Sequence, residues 1–281
     1  MKIFKFKKPL ALKNNGALQV SFIGTGTAFS KVLFNNNFFI VKGDTHILVD
    51  FGITGPRALD EVAGLNVSDI EVVLPTHSHA DHIGGIEYLA LYHRYVVEQR
   101  MKKPKLKMII SEKYEKILWE RSLRGGMEWN ESNSSGKKLQ FADYFDVIYP
   151  RLISNNPRLR LELNYEGINI ELFATNHIPD NAKTQKRAFL TFGLFIDSKV
   201  LISGDTKFDS DLINFYNDRA ETIFHDASFT PNAVHSSVGE LRTLPDKIKK
   251  KMYLMHCSDN WEEQDISGFG GIVRQGSTYE F

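Results

Sequence analysis

The stretch Thr76-His77-Ser78-His79-Ala80-Asp81-His82-Ile83-Gly84-Gly85 decides how this chain is read. It follows a strand-like run, Glu71-Val72-Val73-Leu74, and precedes a helix-like run from Ile86. Four potential metal ligands therefore sit at a strand-to-helix turn. Side chains of an extended segment alternate with period two, so His77 and His79 point the same way. Neutral imidazoles ligate zinc well, and a carboxylate adds the charge compensation that a second ion needs. Asp81 and His82, where the turn begins, can face that second ion. An H-x-H pair alone is weak evidence. H-x-H-x-D-H at a strand end is strong, because polar ligands this dense have no structural use without a metal.

Around this turn, short apolar and β-branched runs recur at strand length: Leu18 to Ile23, Phe38 to Val41, Ile47 to Val49, Ile70 to Leu74, Leu106 to Ile110, Ile168 to Phe173, Phe189 to Ile196, Val200 to Ile202, Thr222 to Phe224 and Met252 to Met255. Helical spacing marks Ile86 to Arg100 and Glu112 to Leu123. The mixture predicts a layered α/β protein with a large, partly antiparallel sheet system. At 281 residues and 42% hydrophobic content, one domain spanning 1–281 is expected. The basic Met1 to Lys8 reads as an edge strand or a mobile end, and Gly125 to Lys138 as a surface loop.

Charge and cysteine usage exclude some classes. With 35 basic and 34 acidic residues the net charge is +1, which argues against nucleic-acid binding through bulk electrostatics. Cys257 is the one cysteine, so no intramolecular disulfide forms and a reducing compartment fits. No run approaches the ~20 apolar residues of a membrane span. A soluble cytoplasmic protein is expected.

On the His77–His82 motif the chain resembles the metallo-β-lactamase superfamily, from the Leu18 strand to His256 with the motifs in order. Strands ending in Asn176-His177, Gly204-Asp205 and Met255-His256 match the superfamily's later ligand positions. The resemblance implies an αββα four-layer sandwich with the site at one edge of two sheets. It implies one ion on His77, His79 and His177, a second on Asp81, His82 and His256, and Asp205 bridging them. It also places Asp50, after Ile47-Leu48-Val49, as a hydrogen-bond partner of a metal histidine. Zinc suits so histidine-rich a set, with manganese, cobalt and iron as alternatives. Two such ions provide a nucleophile near neutral pH and stabilise charge at the attacked centre.

Two further stretches select among hydrolases. Phe224-His225-Asp226-Ala227-Ser228 and Val234-His235-Ser236-Ser237-Val238 look like the two loops of ribonuclease Z and its relatives, where H-E-A-T and H-S-T sequences bring an acid and a histidine to the scissile phosphate. Expulsion of an alkoxide needs a proton or a positive partner. His235 is the expected donor, and Asp226 is expected to orient it. Ser236, Ser237 and His225 are expected to bind substrate. The departure is the tRNA-gripping arm, inserted in the common form between the residues matching His177 and Asp205. Here 28 positions separate them, too few for the arm. The chain is similar to arm-less relatives that hydrolyse cyclic nucleotides, some used by phages against nucleotide-signalling defences. A phosphodiesterase for a small cyclic nucleotide is the expectation. Alternatives are a tRNA 3′ endonuclease, a lactone or thioester hydrolase, and a non-catalytic nucleotide-binding protein. A homodimer is expected by analogy.

Lys102, Lys103, Lys105 and Lys107, like Lys247, Lys249, Lys250 and Lys251, read mainly as solvated faces. The loop Asp180 to Arg187, with Lys183, Lys186 and Arg187, stands nearer the site and is equally a phosphate contact or a solvated turn. Phe29, Phe34, Trp129 and Phe229 are candidates to stack on a base. Cys257 should point away from the metals, and His46 and His93 should be structural.

Overall fold

The computed structural model describes residues 1–183 and 187–281. Two eight-stranded sheets form its centre. The chain lays down β1 (Lys2–Lys5), β2 (Gln19–Gly24), β3 (Asn37–Lys42), β4 (Thr45–Val49), β5 (Val72–Leu74), β6 (Leu106–Ile109) and β7 (Phe145–Ile148) in the first sheet. It then crosses to the second with β8 (Arg151–Ser154), β9 (Arg160–Tyr165), β10 (Ile168–Ala174), β11 (Phe192–Ile196), β12 (Val200–Ile202), β13 (Thr222–Asp226), β14 (Met252–Met255) and β15 (Gly271–Ile272). Finally β16 (Ser277–Glu280) returns to the first sheet and pairs between β1 and β2.

Period-two alternation explains the layering. Along the second sheet Ile170, Leu172, Leu194, Ile196, Val200, Ile202 and Phe224 join the core shared with the first sheet. Their neighbours Phe173, Phe195, Leu201 and Ile223 face the other way, onto a separate core with Leu212, Ile213, Tyr216, Leu241 and Ile248. Those partners come from helices Ser210–Asn217, Val238–Leu241 and Asp246–Lys249. Helical segments 86–98 and 112–127 lie between strands of the first sheet in sequence and contribute Ile86, Leu89, Tyr114 and Leu118 to the shared core. The result is the expected αββα sandwich. Across the sheet–sheet interface Phe224 meets Phe22 and Tyr279 with ring centroids 5.2 and 4.9 Å apart, and within the first sheet Phe22 meets Tyr279 at 5.7 Å. Tilted and edge contacts of this kind add about 0.5–1.5 kcal/mol each beyond area burial.

The topology gathers chemistry at one end. β4 to β7 run parallel in the first sheet and β12 to β15 run parallel in the second. Residues just past the carboxyl ends of β4, β5, β10, β12, β13 and β14 therefore meet along one edge, the position ligands favour in sheets of this kind. Among the described residues no helix is long and apolar enough to cross a membrane.

Candidate metal centre

Asp50, Thr76-His77, His177, Asp205, Asp226 and His256 occupy these strand ends. Two backbone features bring them close. Gly204 has φ +60, and a Cβ there would collide with the Phe192 carbonyl, so glycine alone lets the chain turn and present Asp205. At Gly52 a Cβ would collide with the Asp81 carbonyl, so the turn after Asp50 can lie flat against the turn carrying Asp81 and His82. Phe51 and Ile53 N–H groups donate to the His82 and Ala80 carbonyls across this contact, at 2.7 and 3.1 Å.

Two ligand sets result. His77, His79, His177 and Asp205 form one, and Asp81, His82, Asp205 and His256 form the other. In the first, His79 Nδ1 lies 3.0 Å from His77 Nε2 and 3.2 Å from His177 Nε2, and both Nε2 atoms lie 3.8 Å from Asp205 Oδ2. In the second, Asp81 Oδ2 is 3.3 Å from His82 Nε2 and 3.2 Å from His256 Nε2, while Asp205 Oδ2 is 3.3 and 3.8 Å from the same nitrogens. Metal–nitrogen bonds of 2.0–2.1 Å in a tetrahedron put ligand atoms about 3.3 Å apart. Both sets have that spacing, and both use Asp205 Oδ2.

The remaining nitrogens of three ligands are hydrogen-bonded, and that of a fourth lies near a carboxylate. His82 Nδ1 donates to Asp50 Oδ2 at 2.7 Å, and Thr76 donates to the same carboxylate through its N–H (2.7 Å) and its hydroxyl (2.8 Å). His177 Nδ1 donates to the Val234 carbonyl at 2.9 Å, His77 Nδ1 meets the Thr76 hydroxyl at 3.1 Å, and His256 Nδ1 lies 3.3 Å from Asp226 Oδ1. Such bonds fix tautomer and ring orientation. His256 itself has φ +57 and Asp50 φ +59, uncommon conformations held by the surrounding contacts.

Electrostatics fit the same assignment. Burial, aided by the neighbouring His82, holds His77 far below the usual histidine range, and burial depresses His79 and His177 too. All three favour the neutral form that ligates. Burial opposes ionisation of Asp81 and Asp205, yet His256 and His82 outweigh it and keep both carboxyls below their ordinary range. Burial likewise opposes charge on His82 and His256, but Asp205 and its acidic neighbours prevail, carrying His256 up to about 10. Buried carboxylates this close demand positive charge, which imidazole protons or divalent ions supply. His82 Nε2 and Asp205 Oδ1 are buried with no hydrogen-bond partner, which suits a cation between them. The residues fit a pair of divalent ions.

Asp226 and His235 stand beside the second set. His235 Nδ1 donates to Asp226 Oδ2 at 2.7 Å, and the Thr206 N–H donates to the same oxygen at 3.1 Å. Burial opposes charge on His235, but the Asp226 carboxylate outweighs it and raises its pKa. The bond leaves His235 Nε2 for the cavity that the ring lines.

That cavity, of about 770 Å³, exposes His79, Asp81, His177, Asp205, His235 and His256 at its floor. Phe29, Phe229, Asn232, Asn260 and Gln264 are among its walls. No lysine or arginine lines it among the described residues. Phe34 and Trp129 lie elsewhere: Phe34 is under the Arg57 guanidinium, and Trp129 is under the Lys138 ammonium, 3.2 Å away. Neither lysine cluster reaches the cavity, and Lys105, Lys107, Lys249 and Lys251 donate to Ala142, Tyr165, Arg242 and Asn217 instead. Lys186 lies outside the described residues; Lys183 and Arg187 are exposed and do not line the cavity.

Three expected substrate contacts are corrected. His225 precedes Asp226 on β13 and so points to the opposite face. It is buried, its Nδ1 donates to the Asp226 carbonyl at 2.7 Å, and burial lowers its pKa. Ser236 is fully buried and donates to the Thr206 carbonyl at 3.0 Å. Ser237 caps helix Val238–Leu241 in a reciprocal box with Glu240. None lines the cavity. His46 and His93 are buried away from it, against Glu71 N–H and the Val67 carbonyl, and Cys257 joins the outer core of the second sheet.

Fold and site together define a metallo-β-lactamase-fold, metal-dependent hydrolase of the phosphodiesterase type. Solved structures similar to it include YhfI from Bacillus subtilis, with 17% identity and a TM-score of 0.65 over 94% of this chain and 100% of that one. The short form of human tRNase Z superposes with 18% identity and a TM-score of 0.59 over 91% and 96%. The chain belongs to the family described as anti-Pycsar protein Apyc1, whose model matches residues 18–279. Relatives bearing that name include one from Paenibacillus xerothermodurans, 33% identical over 94% of this chain and 98% of its own length. Another, from Bacillus phage BSP38, is 34% identical over 93% and 97%.

Proposed function

We propose that this chain hydrolyses a cyclic nucleotide carrying a single phosphodiester, with zinc ions on its two ligand sets. One observation carries the reading: twin ligand sets sharing Asp205 Oδ2 and the His235–Asp226 pair open together into a cavity that no lysine or arginine lines among the described residues. A substrate with several phosphates would bring charge for which these walls offer no partner. One phosphodiester needs only the floor.

Two divalent ions, when bound, supply a nucleophile at neutral pH and positive charge against the attacked phosphate. The protein does the rest. Asp205 and the histidines fix the position of that charge, and Asp50, Thr76 and the Val234 carbonyl hold their rings. His235, its pKa raised by the Asp226 carboxylate, gives its Nε2 proton to the departing ribose oxygen. Phe29 and Phe229 offer faces to the base, and Asn232, Asn260 and Gln264 offer amides to its edge. The histidine-rich ligand sets favour zinc, with manganese, cobalt or iron as alternatives. The shared family name, and its occurrence in Bacillus phages, supports a role against a nucleotide-signalling defence.

The test is a parallel turnover assay on the metal-loaded protein with cyclic mononucleotides, a cyclic dinucleotide and a precursor tRNA, using Asp81→Ala as the blank. Opening of a cyclic mononucleotide, lost in the variant, is expected. Cleavage confined to the tRNA would overturn the reading.

A further inference from the structure

We propose that Phe189 is the positioning residue of the metal ligand His79, doing by ring stacking what hydrogen bonds do for the other imidazoles. The inference rests on the assignment of the metal centre. His77, His82, His177 and His256 each have their far nitrogen against Thr76, Asp50, Val234 or Asp226. His79 differs. It faces the cluster through Nδ1, and its Nε2 has no polar partner among the described residues. A ring held at one nitrogen alone is free to swing out of the ligand position.

Phe189 closes that freedom. Its ring lies nearly parallel to His79, with centroids 5.7 Å apart and planes at 17°, and stands edge-on to His77 at 6.3 Å. Its backbone is fixed in turn. The Phe189 N–H donates to the Ile178 carbonyl at 2.7 Å, and the Thr191 hydroxyl donates to the Phe189 carbonyl at 3.3 Å. Lys207 pins the start of the same loop, its ammonium donating to the Pro179, Asp180 and Ala182 carbonyls at 2.7, 2.7 and 3.1 Å. The chain that leaves the ligand His177 therefore returns to the metal centre at Phe189, secured by a lysine two positions after Asp205. Within the first ligand set, His79 is braced by an aromatic ring where His77 and His177 are held by the Thr76 hydroxyl and the Val234 carbonyl.

Metal titration against a competing chelator, with total metal by elemental analysis and the visible spectrum of the cobalt-loaded protein, tests this on wild type, Phe189→Ala, Phe189→Leu and Phe189→Tyr. Phe189 is half-buried, and thermal melts of the metal-free proteins check that each variant folds. Phe189→Ala and Phe189→Leu are expected to bind one of two ions about 10–100-fold more weakly, the usual cost of losing a ligand's orienting partner. The other ion should be unaffected, and Phe189→Tyr should behave as wild type. Two ions bound with wild-type affinity by Phe189→Leu would overturn the proposal while leaving the metal centre standing. A wild-type protein that binds no ion pair would overturn the metal centre and this inference with it.

Discussion

Replacing His235 by alanine tests the acid directly. The ring donates to Asp226 at 2.7 Å through Nδ1 and has a side chain 20% exposed in the cavity. Alanine removes the group proposed to protonate a leaving alkoxide. It removes no member of either ligand set that shares Asp205, and Asp226 keeps its bond from the Thr206 N–H. A lost acid–base group costs about 10²–10⁴-fold in rate, or about 2.7–5.5 kcal/mol of transition-state stabilisation. The loss should fall on kcat for cyclic nucleotides, whose leaving group is an alkoxide. It should nearly vanish for an aryl phosphodiester whose leaving group departs as a stable anion. Steady-state kinetics on both substrates, with metal content measured alongside, decides the matter. Equal losses on the two substrates, or a near-normal rate on the cyclic nucleotide, would refute the acid role.

Asp226→Asn should weaken metal affinity about 10–100-fold as well as slow turnover, because the carboxylate also holds His256; chelator competition beside His235→Ala separates the two effects. Stripping the ions should abolish activity and lower the melting temperature by several degrees, since a ligand at 100 times its Kd contributes about 2.7 kcal/mol; scanning calorimetry with and without chelator reads this. Gly204→Ala should cost at least about 1–2 kcal/mol from its left-handed backbone alone, with more from the Phe192 carbonyl, and urea unfolding with metal analysis should show lower stability and fewer ions. Raising salt from 50 to 200 mM should change KM for the cyclic nucleotide only slightly, whereas proteins making 6–10 phosphate contacts lose about 10³–10⁵ in affinity over that range; a steep rise in KM would point to basic contacts outside the cavity.

Strands buried on both faces were legible in the sequence because Val, Ile, Leu and Phe run together in them, as in Phe38 to Val41 of β3, Ile47 to Val49 of β4 and Val200 to Ile202 of β12. The strands that escaped notice, β7, β8, β9, β15 and β16, are short, partly exposed or polar. Arg151, Arg160, Glu162 and Ser277 stand where a hydrophobic reading looks for valine. The seven candidate ligand positions were visible because they lie in the turns that follow apolar strand runs. Of the cavity walls, Phe29 and Phe229 were visible as candidates, but Asn232, Ser258, Asn260 and Gln264 were not, since they come from loops whose meeting is a tertiary event. Two misplacements had readable signals. Ser237-x-x-Glu240 before an apolar pair is a capping-box pattern, and His225 must point away from whatever its neighbour Asp226 faces.

The return of β16 to the first sheet bears on how the protein is made. Ser21 and Thr278, joined side chain to side chain across β2 and β16, are 257 positions apart. At the ~5–20 residues per second of synthesis, β2 waits roughly 13–50 s for its neighbour, and β1 has no sheet partner until then. Throughout that interval one edge of the first sheet stands open with its backbone groups unpaired, an invitation to pair with another chain. Lysines at positions 2, 5, 7 and 8 put charge on β1 and its flanks, the means by which unpaired strands discourage such pairing.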